Sequence, residues 1–239
     1  TSGMGLELCK LFLKDGHTVA TCSFEEKSKV QSLLPENLFY YQADVTNHLE
    51  MEEVIEKFTL QHKRLDIVVA NAGISLAKAP IPDFNQGRKV IEVNVIGVLN
   101  TFAPAINIMK EQGAGQLVAL GSIAGLNGLP GMAIYGASKA AVLALCESMA
   151  IDLPAFGIHV TTIAPGFVKT PMIQQNTHKM PFLMEQTEAA LLIKKAILKK
   201  KNLYGFPFPT YLMASILRRL PRSLYRAFMK QDYLGLRGS

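Results

Sequence analysis

Short apolar runs alternate with longer segments of helical periodicity along most of the chain. Five runs have the length of a strand and are apolar at successive positions: His17–Cys22, Leu38–Ala43, Leu65–Ala70, Gln116–Leu120 and Ile158–Ile163. Continuous apolar strands are typical of a sheet that is covered on both faces. The pattern therefore predicts a buried sheet.

Between these runs lie segments with helical spacing of apolar residues: Gly5–Lys14, Leu49–Gln61, an arm from about Phe84 to Glu111, and Ala133–Phe156. Regular alternation of strand and helix predicts an α/β fold with a doubly wound parallel sheet in three layers. No repeat or linker divides residues 1–239, which indicates a single domain. Pro104 is expected to kink its helix or mark its end.

The beginning of the printed sequence is unusual for this architecture. Thr1-Ser2-Gly3-Met4-Gly5 is a glycine turn that leads into a helix, and such a turn normally follows a strand. We expect the full-length protein to carry an apolar strand ending in Thr-Gly-Ala or similar, about a dozen residues in all, immediately before Thr1.

Charge is distributed unevenly along the sequence. From residue 194 to the end there are eleven Lys or Arg and one acid, so this part carries +10 and the rest carries −4. A uniformly basic nucleic-acid-binding protein is not patterned in this way. With 49% hydrophobic residues the chain has enough apolar material for a large core, and it lacks an uninterrupted apolar run of about 20 residues.

Cysteine and histidine are too scattered to indicate a metal site. Cys9, Cys22 and Cys146 are odd in number and far apart, which favours a reducing, cytoplasmic compartment over a disulfide framework. Cys146 is expected in the core. The five histidines lack ligand spacing, so no metal is predicted: His17, His48, His62, His159 and His178.

The strongest chemical signal is Tyr135 with Lys139, which lie on one face of a predicted helix at i and i+4. A phenol has a pKa of about 10, and a nearby ammonium favours the phenolate, which makes proton exchange at neutral pH practicable. The plain alternative is an unrelated surface pair. Ser122 follows a predicted strand, where ligands collect in such sheets, although by itself it indicates no more than a turn.

Several segments, in order and at suitable intervals to about residue 205, resemble the short-chain dehydrogenase/reductase family. They are the turn Thr1–Gly5, Asp44-Val45, Asn71-Ala72-Gly73, Asn94, the trio Ser122, Tyr135 and Lys139, and Pro165-Gly166 with Val168 and Thr170. The resemblance implies a Rossmann-like fold and an NAD(P)(H)-dependent oxidoreductase. Such an enzyme moves a hydride between nicotinamide and a carbonyl or secondary alcohol.

The resemblance also implies the role of each catalytic residue. Ser122 would hydrogen-bond the substrate oxygen, and Tyr135 would give or take the proton. Lys139 would lower the pKa of Tyr135 and hold the nicotinamide ribose. Asn94 would keep its helix locally open, so that a water can link Lys139 to solvent.

The remaining positions carried over from the family are expected to bind the cofactor. They are Ser2, Gly3 and Met4 at the pyrophosphate, Ser23 at the ribose, Asp44 and Val45 at the adenine, Asn71, Ala72 and Gly73 beyond the fourth strand, and Pro165, Gly166, Val168 and Thr170 at the nicotinamide, together with Tyr135 and Lys139. NAD-preferring members usually place Asp where Ser23 stands. Since that repulsive acid is absent, NADP(H) is favoured over NAD(H), although Glu25 and Glu26 follow closely.

The substrate is less well defined by the sequence. Met172 and Ile173, with Met180–Met184, form a flexible apolar lid over a lipophilic substrate or pack on the body or a partner subunit. The apolar helices Phe84–Glu111 and Ala133–Phe156 favour a homo-oligomer, as a dimer or tetramer. The rival hypothesis is a dinucleotide-binding sensor without turnover.

The C-terminal extension, residues 206–239, is expected to form basic helices from about Phe208 to Lys230, with a new helix after Pro221. Leu224, Tyr225 and Phe228 would share one apolar stripe. This extension either covers the substrate pocket, packs on a second subunit or contacts an anionic membrane surface, which would make a cytoplasmic protein membrane-peripheral.

Overall fold

The computed structural model describes residues 2–76, 79, 81–171, 180 and 182–235, without the side chains of 231–235. Its strands are β1 Val19–Ser23, β2 Leu38–Gln42, β3 Ile67–Ala70, β4 Gly115–Leu120, β5 Ile158–Pro165 and β6 Leu203–Phe206. Every strand pairing within these ranges is parallel. The predicted parallel α/β architecture is confirmed.

Helices connect the strands. They are α1 Gly3–Lys14, α2 Lys27–Val30, α3 His48–His62, α4 Phe84–Ile91, α5 Gly97–Gln112, α6 Ala133–Asp152, α7 Gln186–Leu198, α8 Phe208–Arg219 and α9 Arg222–Gly235. The starts of α3 and α4 are fixed by local chemistry. Asn47 and Asp83 each accept hydrogen bonds from two backbone N–H groups of the first turn.

The sheet is in two parts. One pairs β1 with β2, and the other has the order β3-β4-β5-β6. Within the described residues, one edge of β1 and one edge of β3 therefore have no partner strand. The expectation that a further strand precedes Thr1 stays a prediction.

Strand β4 is apolar at successive positions because both of its faces pack against helices. Leu117 and Ala119 belong to a core cluster with Phe102 of α5 and Val142 of α6, on one face of the sheet. Val118 and Leu120 belong to the second cluster, which includes residues of α1 and α7 on the other face. Both faces are thus covered, as the continuous apolar runs predict.

Three features differ from the sequence-based expectations. Helix α7 and strand β6 were not predicted. Pro104 lies within α5 and does not end it, while the break in the arm from Phe84 to Gln112 is a π-helical turn at Glu92–Ile96. Six of the ten ends of the predicted strands shift by one or two residues, because the hydrophobic pattern specifies the ends of an element least.

Two helical stretches, Phe84–Gln112 and Ala133–Phe156, are long and apolar enough to cross a membrane by length and composition alone. Their buried residues include Phe102, Met109 and Cys146, which pack in the core cluster beside β4 and β5. One face of each stretch therefore packs in the core. The expected burial of Cys146 is confirmed.

The predicted C-terminal helices are present as α8 and α9, with Pro221 just before α9. Their predicted apolar stripe is wrong in one respect. Leu224 and Phe228 are exposed, whereas Tyr225 is buried and its hydroxyl donates to the carbonyl of Gly128. Position i+1 lies about 100° around a helix from position i, which places Tyr225 on the inner side.

Candidate active site

The predicted site residues collect at one edge of the sheet. Ser23 ends β1, Asp44 lies just after β2, and Asn71 directly follows β3. Ser122 follows β4 by two residues, and Gly166 directly follows β5. Since all the strands are parallel, these positions share the carboxyl edge, where ligands bind in open α/β sheets.

Ser122 is buried at the start of a short helical turn, Ile123–Gly125. Its Oγ accepts from the Ala124 N–H at 3.1 Å and donates to the Pro165 carbonyl at 3.4 Å. It also lies close enough to the Tyr135 hydroxyl to lower the pKa of that phenol. The serine therefore lies beside the phenol, as the family's motif requires.

Tyr135 and Lys139 lie one turn apart on α6. The Lys139 ammonium is 5.9 Å from the centre of the Tyr135 ring and donates to the Leu120 carbonyl at 2.7 Å. The Lys139 side chain is buried, although charged groups in protein interiors are costly without partners. Residues from β4 and α6 thus hold the ammonium next to the phenol.

Burial determines the ionisation of both groups. It lowers the pKa of Lys139 to about 8, because the charged ammonium loses its hydration. It raises the pKa of Tyr135 above the ordinary value, and the hydrogen bond with Ser122 opposes that rise. The expected lowering of the Tyr135 pKa by Lys139 is therefore not the dominant influence in this structure.

Asn94 is fully buried in the π-helical turn Glu92–Ile96. Its Oδ1 accepts from the Ile74 N–H at 2.8 Å, and its Nδ2 donates to the Ile74 carbonyl at 2.9 Å and to Ser138 Oγ at 3.0 Å. The wider turn agrees with the expectation that the helix is locally open at Asn94. A π-turn inside a helix often marks a functional position.

Ser138 was not predicted from the sequence, and Gly73 was assigned only to cofactor binding. Ser138 connects α6 to Asn94 and also donates to the Tyr135 carbonyl at 2.7 Å. Gly73 lies against the polar groups, since a Cβ there would approach Asn94 Oδ1 and Lys139 Nζ to 3.3 Å. The only sequence signal for Ser138 was its place between Tyr135 and Lys139.

The N-terminus of α1 faces the same edge. Gly3 has φ of +61°, which favours glycine, and a Cβ there would lie 3.7 Å from Thr170. Gly5 lies against the Asn71 side chain, which a Cβ would approach to 2.6 Å. The helix start, Asn71 and Thr170 are thus neighbours, and unpaired N–H groups at a helix N-terminus suit a pyrophosphate.

The ends of β1 and β2 are more open. Ser23 Oγ lies 2.9 Å from the Tyr40 hydroxyl and 3.4 Å from a Glu25 carboxylate oxygen. Asp44 is exposed and accepts hydrogen bonds from the N–H and hydroxyl of Thr46. The structure therefore places a carboxylate next to Ser23, although Ser23 itself is neutral.

The segment after β5 is tied to the body. Val168 is buried and forms a bridge with Met184, and Gly166 N–H donates to the Phe206 carbonyl. Of the predicted lid, Met184 is buried, whereas Phe182 and Leu183 are exposed. Met172 and Ile173 lie outside the described residues.

A cavity of about 220 Å³ reaches Tyr135. Its lining is mostly apolar and comes from two segments, one after β3 and one at the start of α6: Leu76, Ala79, Ile81, Pro82, Asp83, Gln86, Gly131, Met132, Ala133, Ile134 and Tyr135. In the described ranges no cluster of three or more His, Cys, Asp or Glu could hold a metal ion.

Comparison with known proteins agrees with this geometry. The model of the short chain dehydrogenase family matches residues 1–181. An uncharacterized oxidoreductase of Myxococcus xanthus is 36% identical over 187 residues, which cover 78% of this chain and 74% of the relative. The 3-oxoacyl-[acyl-carrier-protein] reductase FabG of Thermotoga maritima is 34% identical over 196 residues, covering 78% and 76%.

Solved structures show the same fold. ElxO with NADP bound superposes with a TM-score of 0.77 at 29% identity, over 85% of this chain and 92% of that one. A short-chain type dehydrogenase/reductase from Mycobacterium ulcerans gives 0.79 at 25% identity, over 88% and 86%. The chain belongs to the short-chain dehydrogenase/reductase family and is an oxidoreductase that uses a nicotinamide dinucleotide.

Proposed function

We propose that this enzyme interconverts a lipophilic carbonyl compound and the corresponding secondary alcohol, with Tyr135 as the acid–base group. The observation that carries the proposal is that Tyr135 lies beside Ser122, with the ammonium of the buried Lys139 at 5.9 Å from the centre of its ring. The nicotinamide supplies or accepts the hydride. The chain's own residues position the substrate and move the proton.

Each catalytic side chain has a distinct task. Ser122 donates a hydrogen bond to the substrate oxygen, and Tyr135 exchanges a proton with that oxygen. Lys139 holds the nicotinamide ribose, and its charge acts against the rise that burial causes in the pKa of Tyr135. Asn94 fixes the segment at Ile74 and, through its open helical turn, leaves room for a water between Lys139 and solvent.

The substrate is inferred to be small to medium in size and apolar. The cavity at Tyr135 measures about 220 Å³ and is lined mainly by aliphatic side chains such as Leu76 and Met132. Pockets of this kind favour apolar ligands with one oriented polar group. FabG of Thermotoga maritima is named for a 3-oxoacyl substrate, which also carries a ketone.

We infer a preference for NADP(H). Ser23 stands where NAD-preferring members carry an acid, so no side chain at this position repels a 2′-phosphate. Lys27, four residues later, is exposed. The carboxylate of Glu25, 3.4 Å from Ser23 Oγ, acts in the opposite direction. The preference therefore depends on how these neighbouring charges balance at the end of β1.

We also infer that the enzyme is a cytoplasmic homo-oligomer. Ile91, Ile96 and Leu99, on α4, the π-turn and α5, are exposed, as are Ala140 and Ala141 of α6. Neighbouring apolar helix faces suit a twofold contact. Light scattering should give at least a dimer at micromolar concentration, and a monomer at all such concentrations would contradict this inference.

The proposed reaction is tested by absorbance at the nicotinamide band with NADPH and NADH and a panel of ketones and aldehydes. The reverse reaction is followed with secondary alcohols. We expect turnover with apolar ketones of a size that fits the cavity, and much slower turnover with charged ones. Tight cofactor binding without turnover on any carbonyl compound would instead indicate a binding protein.

A further inference from the structure

Helices α8 and α9 expose apolar side chains that the described part of the chain leaves uncovered. On α8, Phe208, Leu212 and Ile216 follow one another at i, i+4 and i+8 with Met213 beside them, and they are 44% to 69% exposed. On α9, Leu224 and Phe228 are more than half exposed. On the surface of a soluble protein, large apolar side chains are usually exposed singly rather than in a stripe along a helix.

The inner faces of the two helices are fixed to the catalytic body. Asn127 Nδ2 donates to the Ala214 carbonyl of α8 at 2.7 Å, and Tyr225 of α9 donates to Gly128. Ala214 and Thr210 are buried. Because these contacts fix how the helices are seated, the apolar stripe of α8 faces outward.

The same helices are strongly basic. Arg218 and Arg219 end α8, and Arg222, Arg226 and Lys230 follow at i, i+4 and i+8 on α9; all five are exposed. From residue 208 onward the sequence contains a single acid, Asp232. Within the ranges that the structure describes, none of the five forms an ion pair.

The apolar side chains and the basic charge of α8 and α9 together indicate which kind of partner could bind this surface. A twofold contact with a second copy would place the five basic side chains of one subunit near those of the other, which like-charge repulsion disfavours. Nucleic acid offers phosphates but no apolar surface for Phe208 or Ile216. An anionic bilayer offers both an apolar layer and negative charge.

We propose that α8 and α9 form a docking face for an anionic lipid bilayer. Helix α8 begins directly after β6, whose Phe206 carbonyl accepts from the Gly166 N–H at the catalytic edge. The docking face therefore begins next to this edge of the sheet. The proposal concerns binding and does not depend on which carbonyl compound the enzyme reduces.

The test is co-sedimentation of the full chain with phosphatidylcholine vesicles, with and without about 30% phosphatidylserine. Wild-type protein should partition at least about tenfold more strongly onto the anionic vesicles, and less so at high salt. Leu212→Gln with Ile216→Gln, and separately Arg218→Glu with Arg219→Glu, should each lower the partition coefficient about tenfold or more.

Matched controls make the same chemical changes elsewhere. Leu49→Gln with Leu60→Gln removes two exposed leucines from α3, and Lys199→Glu with Lys201→Glu reverses two charges at the opposite end of β6. Both controls should bind vesicles like wild type. Equal binding to neutral and anionic vesicles, or equal losses in test and control variants, would overturn the proposal. A smaller oligomer in the α8 variants with unchanged vesicle binding would assign the face to a second copy instead.

Discussion

The polar side chains next to β3–β5 are more deeply buried than those next to β1 and β2. At the β3–β5 end, Asn94, Ser122 and Lys139 are buried, and each has hydrogen-bond partners within the protein. At the β1–β2 end, Ser23 is half-buried and Asp44 is exposed. We therefore expect the catalytic geometry to be fixed by the core, and the cofactor preference to depend on side chains nearer the surface.

The largest effect is expected at the buried end, from Tyr135→Phe. This change removes only the proton-exchanging hydroxyl, and loss of acid–base catalysis typically lowers the rate by about 10²–10⁴-fold. Cofactor affinity, measured by fluorescence titration, should stay within about threefold of wild type. A variant that kept most of its kcat would show that Tyr135 is not the acid–base group.

Lys139→Met should reduce both kcat and cofactor affinity, and it should also change how stability depends on pH. Burial lowers the pKa of Lys139 from 10.5 to about 8. Between these values the unfolded chain binds a proton that the folded chain does not, so wild-type stability gains a contribution as pH rises through this window.

The Lys139→Met variant lacks this pH-dependent contribution to stability. The difference in unfolding free energy between wild type and Lys139→Met should therefore move in favour of wild type, by about 1–3 kcal/mol, between pH 7 and pH 10. Urea denaturation at several pH values measures it. Parallel curves for the two proteins would show that Lys139 titrates normally.

Asn94→Ala is expected to lower the free energy of unfolding. It leaves the Ile74 N–H and carbonyl without their partner in a buried position, at a cost of about 1–3 kcal/mol for each unsatisfied group. Asn94→Asp keeps the acceptor for the Ile74 N–H, loses both donated bonds and places a carboxylate oxygen against the Ile74 carbonyl, so it should destabilise the fold at least as much. If Asn94 only supports the fold, kcat per folded molecule will be unchanged in both variants.

The smallest structural effect and the clearest change of preference should come from Ser23→Asp at the open end. A carboxylate there repels a 2′-phosphate, so the ratio of kcat/KM for NADPH over NADH should fall about tenfold or more. Ser28→Asp adds the same charge at an exposed position in α2 and should leave the ratio unchanged. Equal shifts in both variants would indicate a general charge effect.

Features that depend on local spacing could be predicted from the sequence, whereas contacts that depend on the fold could not. Continuous apolar runs identified five strands, and the spacing of Tyr135 and Lys139 placed both on one helix face. The sequence did not reveal that Ser138 connects that helix to Asn94, since a serine has many local partners. Nor could it show that Glu25 lies beside Ser23, because that contact depends on the turn after β1.

The burial of Tyr225 illustrates the same limit at the C-terminus. Helical spacing put it close to Leu224 and Phe228, but a contact with Gly128, 97 residues away in sequence, turns it inward. Periodicity predicts which residues share a face. It does not specify which face a distant loop will cover.

In the proposed reaction, a hydride passes between nicotinamide and a carbonyl carbon at the Tyr135 site. The most direct measurement is mass spectrometry of the alcohol formed from an apolar ketone and NADPH deuterated at the transferring position of C4. We expect one deuterium on the former carbonyl carbon with wild-type protein, and almost no deuterated alcohol with Tyr135→Phe under the same conditions. Alcohol product without deuterium from either C4 epimer of the cofactor would contradict the proposed reaction.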